Sequence, residues 1–269
     1  MMLPTAAAVT TRRSSRGSRL GAGYDFGMSE ASRPFLTAHW RNLILVSYAV
    51  DPVRIIDLVP AGTTLDSWRG QAFVSLVGFQ FRDTKVLGAP VPFHQDFEEV
   101  NLRFYVRRIM EDGVRQGVVF IRELVPRPLV GGMARLLYRE PYLVVPMRSK
   151  VNEGPPPDVE YQWDTKGGWS RLAGTAGGEG TEPDRGTLEE FVTTRHWGYN
   201  GEVGKPTLEY RVDHPRWRVW HARECSVDYN PEALCDGDLA GALKRGTPMS
   251  KLIADGSAVT VHWRTQITG

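Results

Sequence analysis

The sequence predicts a mainly β fold: a closed or strongly curved antiparallel sheet carrying a few short helices. Three observations lead there. About nine runs rich in β-branched and aromatic residues recur between Gly, Pro, Asn and Asp turn signals. The clearest is a hairpin, in which Val100, Leu102, Phe104 and Val106 alternate with Glu99, Asn101, Arg103 and Tyr105. Asp112-Gly113 supplies its turn and Val118–Ile121 continues as the return strand. Finally, helical periodicity is confined to short stretches that stop at proline or glycine.

Taken in order, Trp40–Val50 is a strand with apolar residues on both faces, as in a sheet covered on both sides. Asp51-Pro52 reads as an N-cap with Pro at the first helical position, opening a short helix over Val53–Val59. A short strand at Thr63–Asp66 and a turn at Trp68-Arg69-Gly70 follow. Gln71–Arg82 is a long strand, in which Gly78 marks a bulge or a close approach. Lys85–Phe97 is a Pro/Gly loop. After the hairpin, Leu129, Val130, Met133, Leu136 and Leu137 recur at helical spacing, and Gly131-Gly132 inside that helix implies close packing on a neighbour.

Leu143–Val151 and Val159–Trp163 are further strands. The Gly-, Thr- and charge-rich stretch 166–186 reads as a flexible surface loop. Thr187 and Glu190 stand at capping-box spacing at the head of a helix. Strands at Leu208–Val212 and Trp217–Val227, a weak helix over Pro231–Leu243 and a strand at Ala258–Thr265 complete the chain. Residues 1–27 read as a disordered leader, with Met28 as an alternative start, and 28–269 as a single domain.

Composition excludes several classes of function. The net charge is +2, and the one basic run (Arg12, Arg13, Arg16, Arg19) lies in the Ser/Gly-rich leader, so a nucleic-acid groove is not expected. No stretch approaches the roughly 18–20 apolar residues of a membrane span. Arg12-Arg13 has no apolar segment behind it to make a signal peptide. Cys225 and Cys235 form no C-x-x-C motif and read as reduced thiols of a cytoplasmic protein. The expected partner is a small molecule, neither nucleic acid nor membrane, and homo-oligomerisation is left open.

His94, Asp96 and Glu98 alternate and could ligate a divalent ion. They follow Pro90 and Pro92 in a loop, however, and read as solvated, so neither a metal nor a cofactor is expected. Neither G-x-S-x-G, G-x-G-x-x-G nor a Walker A run is present. What remains is the polar row Glu99, Asn101, Arg103 and Tyr105, with Arg41 on the first strand and Glu123 at the end of the hairpin. Two readings are open. The row faces solvent on an open sheet, or it lines a barrel interior where it orients a small carboxylate or carbonyl compound. In the second, Arg41, Asn101, Arg103 and Tyr105 contact the ligand, and Glu99 and Glu123 are the acid/base candidates if a reaction occurs.

The segments FLTAHWRNLILVSYAVDP, LVPAGTTLD, GQAFVSLVGFQFRDT, EVNLR–YV, LLYREPY, TLEEFVTTR and HPRW together resemble the YqjF-like bacterial family, domain of unknown function 2071. The likeness runs from about Phe35 to His221. It implies the acetoacetate-decarboxylase-like fold, a cone-shaped antiparallel β-barrel around a small-molecule cavity. A gapless match of RNLILVSYAVDPVRIIDLVP to the decarboxylase's first strand puts that enzyme's active-site arginine on Arg41. Its Schiff-base lysine has no counterpart, since no lysine occurs from Val86 to Ser149. The resemblance thus implies the fold but not imine chemistry. Three functions stay open: a barrel that binds a small organic acid or carbonyl compound, an enzyme (lyase, hydratase or isomerase) working without a Schiff base, or a filled structural barrel.

Overall fold

The computed structural model describes Met1 and residues 34–154, 157–165, 167–201 and 205–267, so the expected leader lies outside the described residues apart from Met1. Strand β1 (Pro34–Val50) starts six residues before the expected strand. The Asp51 side chain accepts from the Val53 N–H and Pro52 opens a helical turn, as the N-cap reading requires. One helix does not follow. Two 3-10 turns, Pro52–Arg54 and Ile56–Leu58, are separated by Ile55, whose φ of −130° leaves the helical region while its side chain is fully buried. Burial of this β-branched side chain overrides a weak local helix preference.

Then come β2 (Thr64–Leu65), β3 (Ala72–Val86), β4 (Ala89–Pro90) and the hairpin of β5 (Phe97–Met110) with β6 (Gly113–Val125). Helix α1 (Pro128–Tyr138) matches the expected helix, and a Cβ on Gly131 would lie 2.9 Å from Val144, the close packing that the glycine pair implies. Next are β7 (Tyr142–Val144), β8 (Met147–Asn152), β9 (Asp158–Asp164), β10 (Trp169–Thr181), α2 (Leu188–Thr193) and β11 (Trp197–Asn200). The last elements are β12 (Thr207–Asp213), β13 (Val219–Asp228), α3 (Gly237–Arg245), β14 (Ser250–His262) and β15 (Thr265–Ile267). Thr187 caps α2 by accepting from the Glu190 N–H.

The stretch expected as a loop at 166–186 is thus mostly the strand β10, paired with β9 on one side and β13 on the other. Its glycines serve packing rather than mobility: a Cβ on Gly174 would stand 2.9 Å from Ile44 of β1.

Pairing in the order β12-β11-β6-β5-β3-β1-β14 is closed into a ring by two further pairs between β12 and β14, Val212↔Val261 and Asp213↔Thr260. All ring neighbours are antiparallel except β6 and β11, which run parallel. From β14 the sheet continues as β13-β10-β9-β8 and folds over the outside of β1 and β3. There the Tyr161 hydroxyl donates to the Asn42 carbonyl at 2.7 Å, and a Cβ on Gly78 would meet Tyr161 at 2.7 Å. Gly78 is therefore a close approach. Both faces of the central strands are buried: Ile44, Leu76, Leu102 and Tyr161 share one core, and Leu45, Val77, Phe79 and Tyr105 share the other, inside the ring.

Candidate functional site

Which side chains enter the ring is decided by two bulges. Along β1 the inward positions are Trp40, then Leu43 and Leu45, a shift of parity between 40 and 43. The β1–β3 register slips at this point, and Asn42 sits at φ 56°, in the left-handed region. Arg41 is carried outward and exposed, away from the cavity. This corrects its expected place among the ligand contacts. Unbroken alternation back from Leu45 and Leu43 puts Arg41 inside; one extra residue reverses it.

On β6 a second slip has the opposite effect. Leu102 pairs with Arg122 but Arg103 pairs with Phe120, leaving Ile121 unpaired. Phe120 and Glu123 consequently both line the cavity. Continuous alternation from Phe120 would turn Glu123 outward.

The cavity has a volume of about 160 Å³ and its lining is tiered, because residues paired across strands share a level. Trp40, Phe81 and Phe97 form the first tier, with Trp40↔Phe81 and Phe81↔Phe97 paired. Phe79 and Glu99 come next, followed by Val77, Asn101 and Glu123. Last is Arg103, whose register partner Ser75 pairs in turn with Ser47 behind the lining. The row Glu99, Asn101, Arg103 and Tyr105 therefore faces inward, each residue at most 8% exposed. Tyr105 lies beneath the cavity rather than on its wall. Its hydroxyl is 2.6 Å from Ser75 Oγ, which is 2.7 Å from Ser47 Oγ, and its ring carries the Arg195 guanidinium at 5.0 Å. Tyr105 is thus a positioning residue, which corrects its expected ligand contact.

Two arginines occupy the deep tier. Arg195 is neutralised by Asp66, with Nη1 2.6 Å from Oδ2 and both side chains buried. Arg103 donates from Nη2 to the Val192 carbonyl of α2 at 3.0 Å, but its Nε has no partner and no ion pair involves it among the described residues. Asn101 Nδ2 donates to Glu99 at 3.0 Å while Asn101 Oδ1 is left without a donor.

Three carboxyl groups meet in the middle of the lining. Glu99 accepts from the Tyr142 hydroxyl at 2.9 Å. Glu140, which follows the left-handed Arg139 (φ 55°) at the end of α1, accepts from Tyr210 at 2.8 Å and Asn200 at 3.0 Å. Protonated Glu123 donates to Glu140, while its Oε2 has no partner. Burial is the main influence on all three. It pushes Glu99 up to about 7 against the pull of Asn101, Tyr142 and Arg103. It pushes Glu140 up to about 8 against the hydroxyl and amide that hold it. Glu123 is raised well above the usual carboxylate range by burial and by the charges of Glu140 and Glu99. At neutral pH Glu123 and Glu140 are thereby favoured in the protonated form, in which a carboxyl can donate a hydrogen bond, while Glu99 stands near its midpoint.

At the rim His214 stacks on Trp217, with ring centres 4.6 Å apart. Its Nδ1 lies 2.9 Å from the Pro215 carbonyl and its Nε2 3.1 Å from that of Arg195. Sequence reasoning placed none of Glu140, Tyr142, Arg195, Tyr210 and His214 in a site, although LLYREPY, TLEEFVTTR and HPRW carried four of them as resemblance. His94, Asp96 and Glu98 turn to separate partners: the Pro92 carbonyl, the Asp83 N–H and the Ser149 hydroxyl. Among the described residues no lysine lines the cavity.

The fold, a ring of strands with a few short helices, is shared with acetoacetate-decarboxylase-like proteins. The acetoacetate decarboxylase of Legionella pneumophila superposes with a TM-score of 0.61 at 14% identity, covering 87% of each chain. An acetoacetate decarboxylase-like enzyme from Sphingomonas wittichii RW1 gives 0.58 at 15% identity, covering 87% of this chain and 93% of its own. The enduracididine biosynthesis enzyme MppR, in complex with pyruvate, gives 0.59 at 13% identity, covering 89% and 93%. Within that fold, the chain belongs to the domain of unknown function 2071 family, described as "Uncharacterized conserved protein", which matches residues 37–256. The uncharacterized protein YqjF of Bacillus subtilis (strain 168) is 31% identical over 114 residues, 42% of this chain and 46% of that protein. The match thus spans under half of that relative. No described helix is long and apolar enough to cross a membrane.

Proposed function

We propose that this protein binds a small organic acid or carbonyl compound inside the strand ring. Arg103 pairs with the ligand's negative charge, and Asn101 Nδ2, which gives one N–H to Glu99, offers its second to a neighbouring oxygen. One observation carries the reading: a buried guanidinium with a free Nε and no carboxylate partner among the described residues lines a cavity. A buried charge is costly to leave uncompensated, and an incoming carboxylate offsets that cost with charge-assisted hydrogen bonds. The pyruvate held by MppR, on the same fold, is a ligand of this chemistry. A cavity of about 160 Å³ speaks against a filled structural barrel.

A second reading, catalysis without an imine, is favoured by the carboxyl cluster. A carboxyl held near 7, as Glu99 is, can exchange a proton with a bound carbonyl compound near neutral pH. Glu99 and Glu123 would then be the acid and base of a hydration, isomerisation or carbon–carbon lyase reaction.

Calorimetric titration and thermal unfolding with pyruvate, acetoacetate and larger oxo acids test the binding reading. A ligand present at a hundred times its dissociation constant adds about 2.7 kcal/mol, roughly 5–10 °C for a chain of this size. Arg103→Gln should lose that shift and Arg41→Ala should keep it. Retention of the shift in Arg103→Gln would remove the anion site from this cavity.

A further inference from the structure

The lining of the ring carries groups of both charge types, and neither is answered within the protein. Arg103 is 8% exposed, has a free Nε and meets no carboxylate at ion-pair distance among the described residues. Beside it Glu99, Glu123 and Glu140 line the same cavity, each at most 5% exposed. No lysine, arginine or histidine pairs with any of the three among the described residues. Their donors from other residues are neutral: the hydroxyls of Tyr142 and Tyr210 and the amides of Asn101 and Asn200. Buried charges in proteins are normally paired. A guanidinium without an anion and three carboxyl groups without a cation leave two opposite demands in one cavity.

The atoms that lack partners repeat this pattern. Asn101 Oδ1 and Glu123 Oε2 are both acceptors. Their residues are register partners across β5 and β6, so the side chains stand next to each other on the inner face. Together they call for a group that donates more than one hydrogen bond. An oxo group donates none and a hydroxyl one, whereas an ammonium donates three. Arg103 follows Asn101 by two residues on the same face of β5, about 7 Å along the strand. A short molecule with an ammonium at one end and a carboxylate at the other spans two such neighbouring tiers. The volume limits it further. An apolar cavity of roughly 150 Å³ holds benzene, about six non-hydrogen atoms, and this one measures about 160 Å³ in all. Alanine and β-alanine are of that size.

Resting on the binding reading above, we propose that the ligand is a small amino acid bound as its zwitterion, with the carboxylate on Arg103 and the ammonium between Asn101 Oδ1 and Glu123 Oε2. The ammonium takes over the part that protons otherwise play among the three carboxyl groups. Since Glu99 stands near 7 and Glu140 near 8, a cation beside them displaces protons at neutral pH. An acid of the same shape without the amine has no such effect.

Isothermal titration of the full chain compares alanine with lactate and pyruvate, which share its skeleton, and β-alanine with 3-hydroxypropanoate. At least one of the two amino acids should bind roughly tenfold tighter than its amine-free counterparts. Glu99→Gln and Glu123→Gln keep the shape and an acceptor oxygen but cannot carry negative charge, and at least one of them should bring that ratio close to one. Wild-type titrations at pH 7 in buffers of different ionisation enthalpy should show proton release with the amino acid and none with lactate. Equal affinities in the wild type, a ratio unchanged in both glutamine variants, or binding without proton release would each overturn the ammonium site. If lactate and pyruvate bind in an Arg103-dependent way and neither amino acid binds tighter, only this inference falls. If no acid of either kind binds, the binding reading falls with it.

Discussion

Glu99, Glu123 and Glu140 put three acidic side chains in one buried cluster, and the fold meets this by keeping protons on them. Glu99 is pushed up to about 7 and Glu140 to about 8, chiefly by burial. In the unfolded chain a glutamate titrates near 4.3. Between about pH 4.5 and 8 the native state therefore holds more protons than the unfolded state, and stability falls as pH rises. Urea unfolding from pH 5 to pH 8 should show a declining free energy, with a slope of up to about 1.4 kcal/mol per pH unit for each extra proton held. Glu140→Gln, which keeps the shape and removes the charge, should flatten that slope and be at least as stable as wild type at pH 8. A profile that is flat in wild type, or unchanged by Glu140→Gln, would mean that the cluster is ionised. The inward row was legible at this scale, because four polar residues alternating with Val100, Leu102, Phe104 and Val106 need water or a cavity on their face. Glu140 was not. A glutamate between a helix end and a proline has no local signature of burial, and only the approach of Tyr210 and Asn200, far along the chain, defines its surroundings.

The strands carry the site through their irregularities. The bulge at Asn42 turns Arg41 out, and the unpaired Ile121 turns Glu123 in. Neither is visible to a reading that assumes strict alternation, since a single added residue exchanges the two faces. Asn42 is suited to its place. Its φ of 56° is tolerated by asparagine better than by most residues, and its amide donates to Gln80 and Glu153 at 3.1 Å each. Asn42→Val should lose about 2 kcal/mol or more in chemical denaturation, from a β-branched residue at positive φ together with the lost hydrogen bonds. Asn42→Gly should lose only about 1 kcal/mol, the hydrogen-bond part. Equal losses would mean that the backbone conformation at this bulge carries no strain for other residues. The stretch 166–186 failed as a loop for a related reason. Its glycines suggested flexibility, whereas Gly174 is small because β10 packs directly on Ile44.

Closure of the ring is a property of the whole molecule. Local patterning could reach a curved sheet but could not tell that β12 returns to β14, because the contact joins segments with no shared motif. The seam is slight: two register pairs, against twelve between β1 and β14 and twelve between β1 and β3. It is reinforced from outside the sheet. His262 Nε2 lies 2.7 Å from Asp213 Oδ2, and the Tyr138 hydroxyl of α1 donates to the His262 carbonyl at 3.1 Å. Phe35, Tyr138, Tyr210 and Val212 pack together over the join. Local stability in a native protein follows the density of such contacts, so the seam should open well before the β1–β3 ladder does. Native-state hydrogen exchange should accordingly show lower protection at Val212, Asp213 and 260–262 than along β1 and β3, as it should at the β6–β11 junction, which also has two pairs. Asp213→Ala removes the His262 contact. Since the Asp213 side chain is 38% exposed, that contact is discounted to about 1 kcal/mol, which predicts roughly fivefold faster exchange at the seam. The amides of β1 and β3 should be unaffected by the same substitution. Uniform acceleration across all seven ring strands would mean that the ring opens only by global unfolding, and that the seam does not act as a separate element.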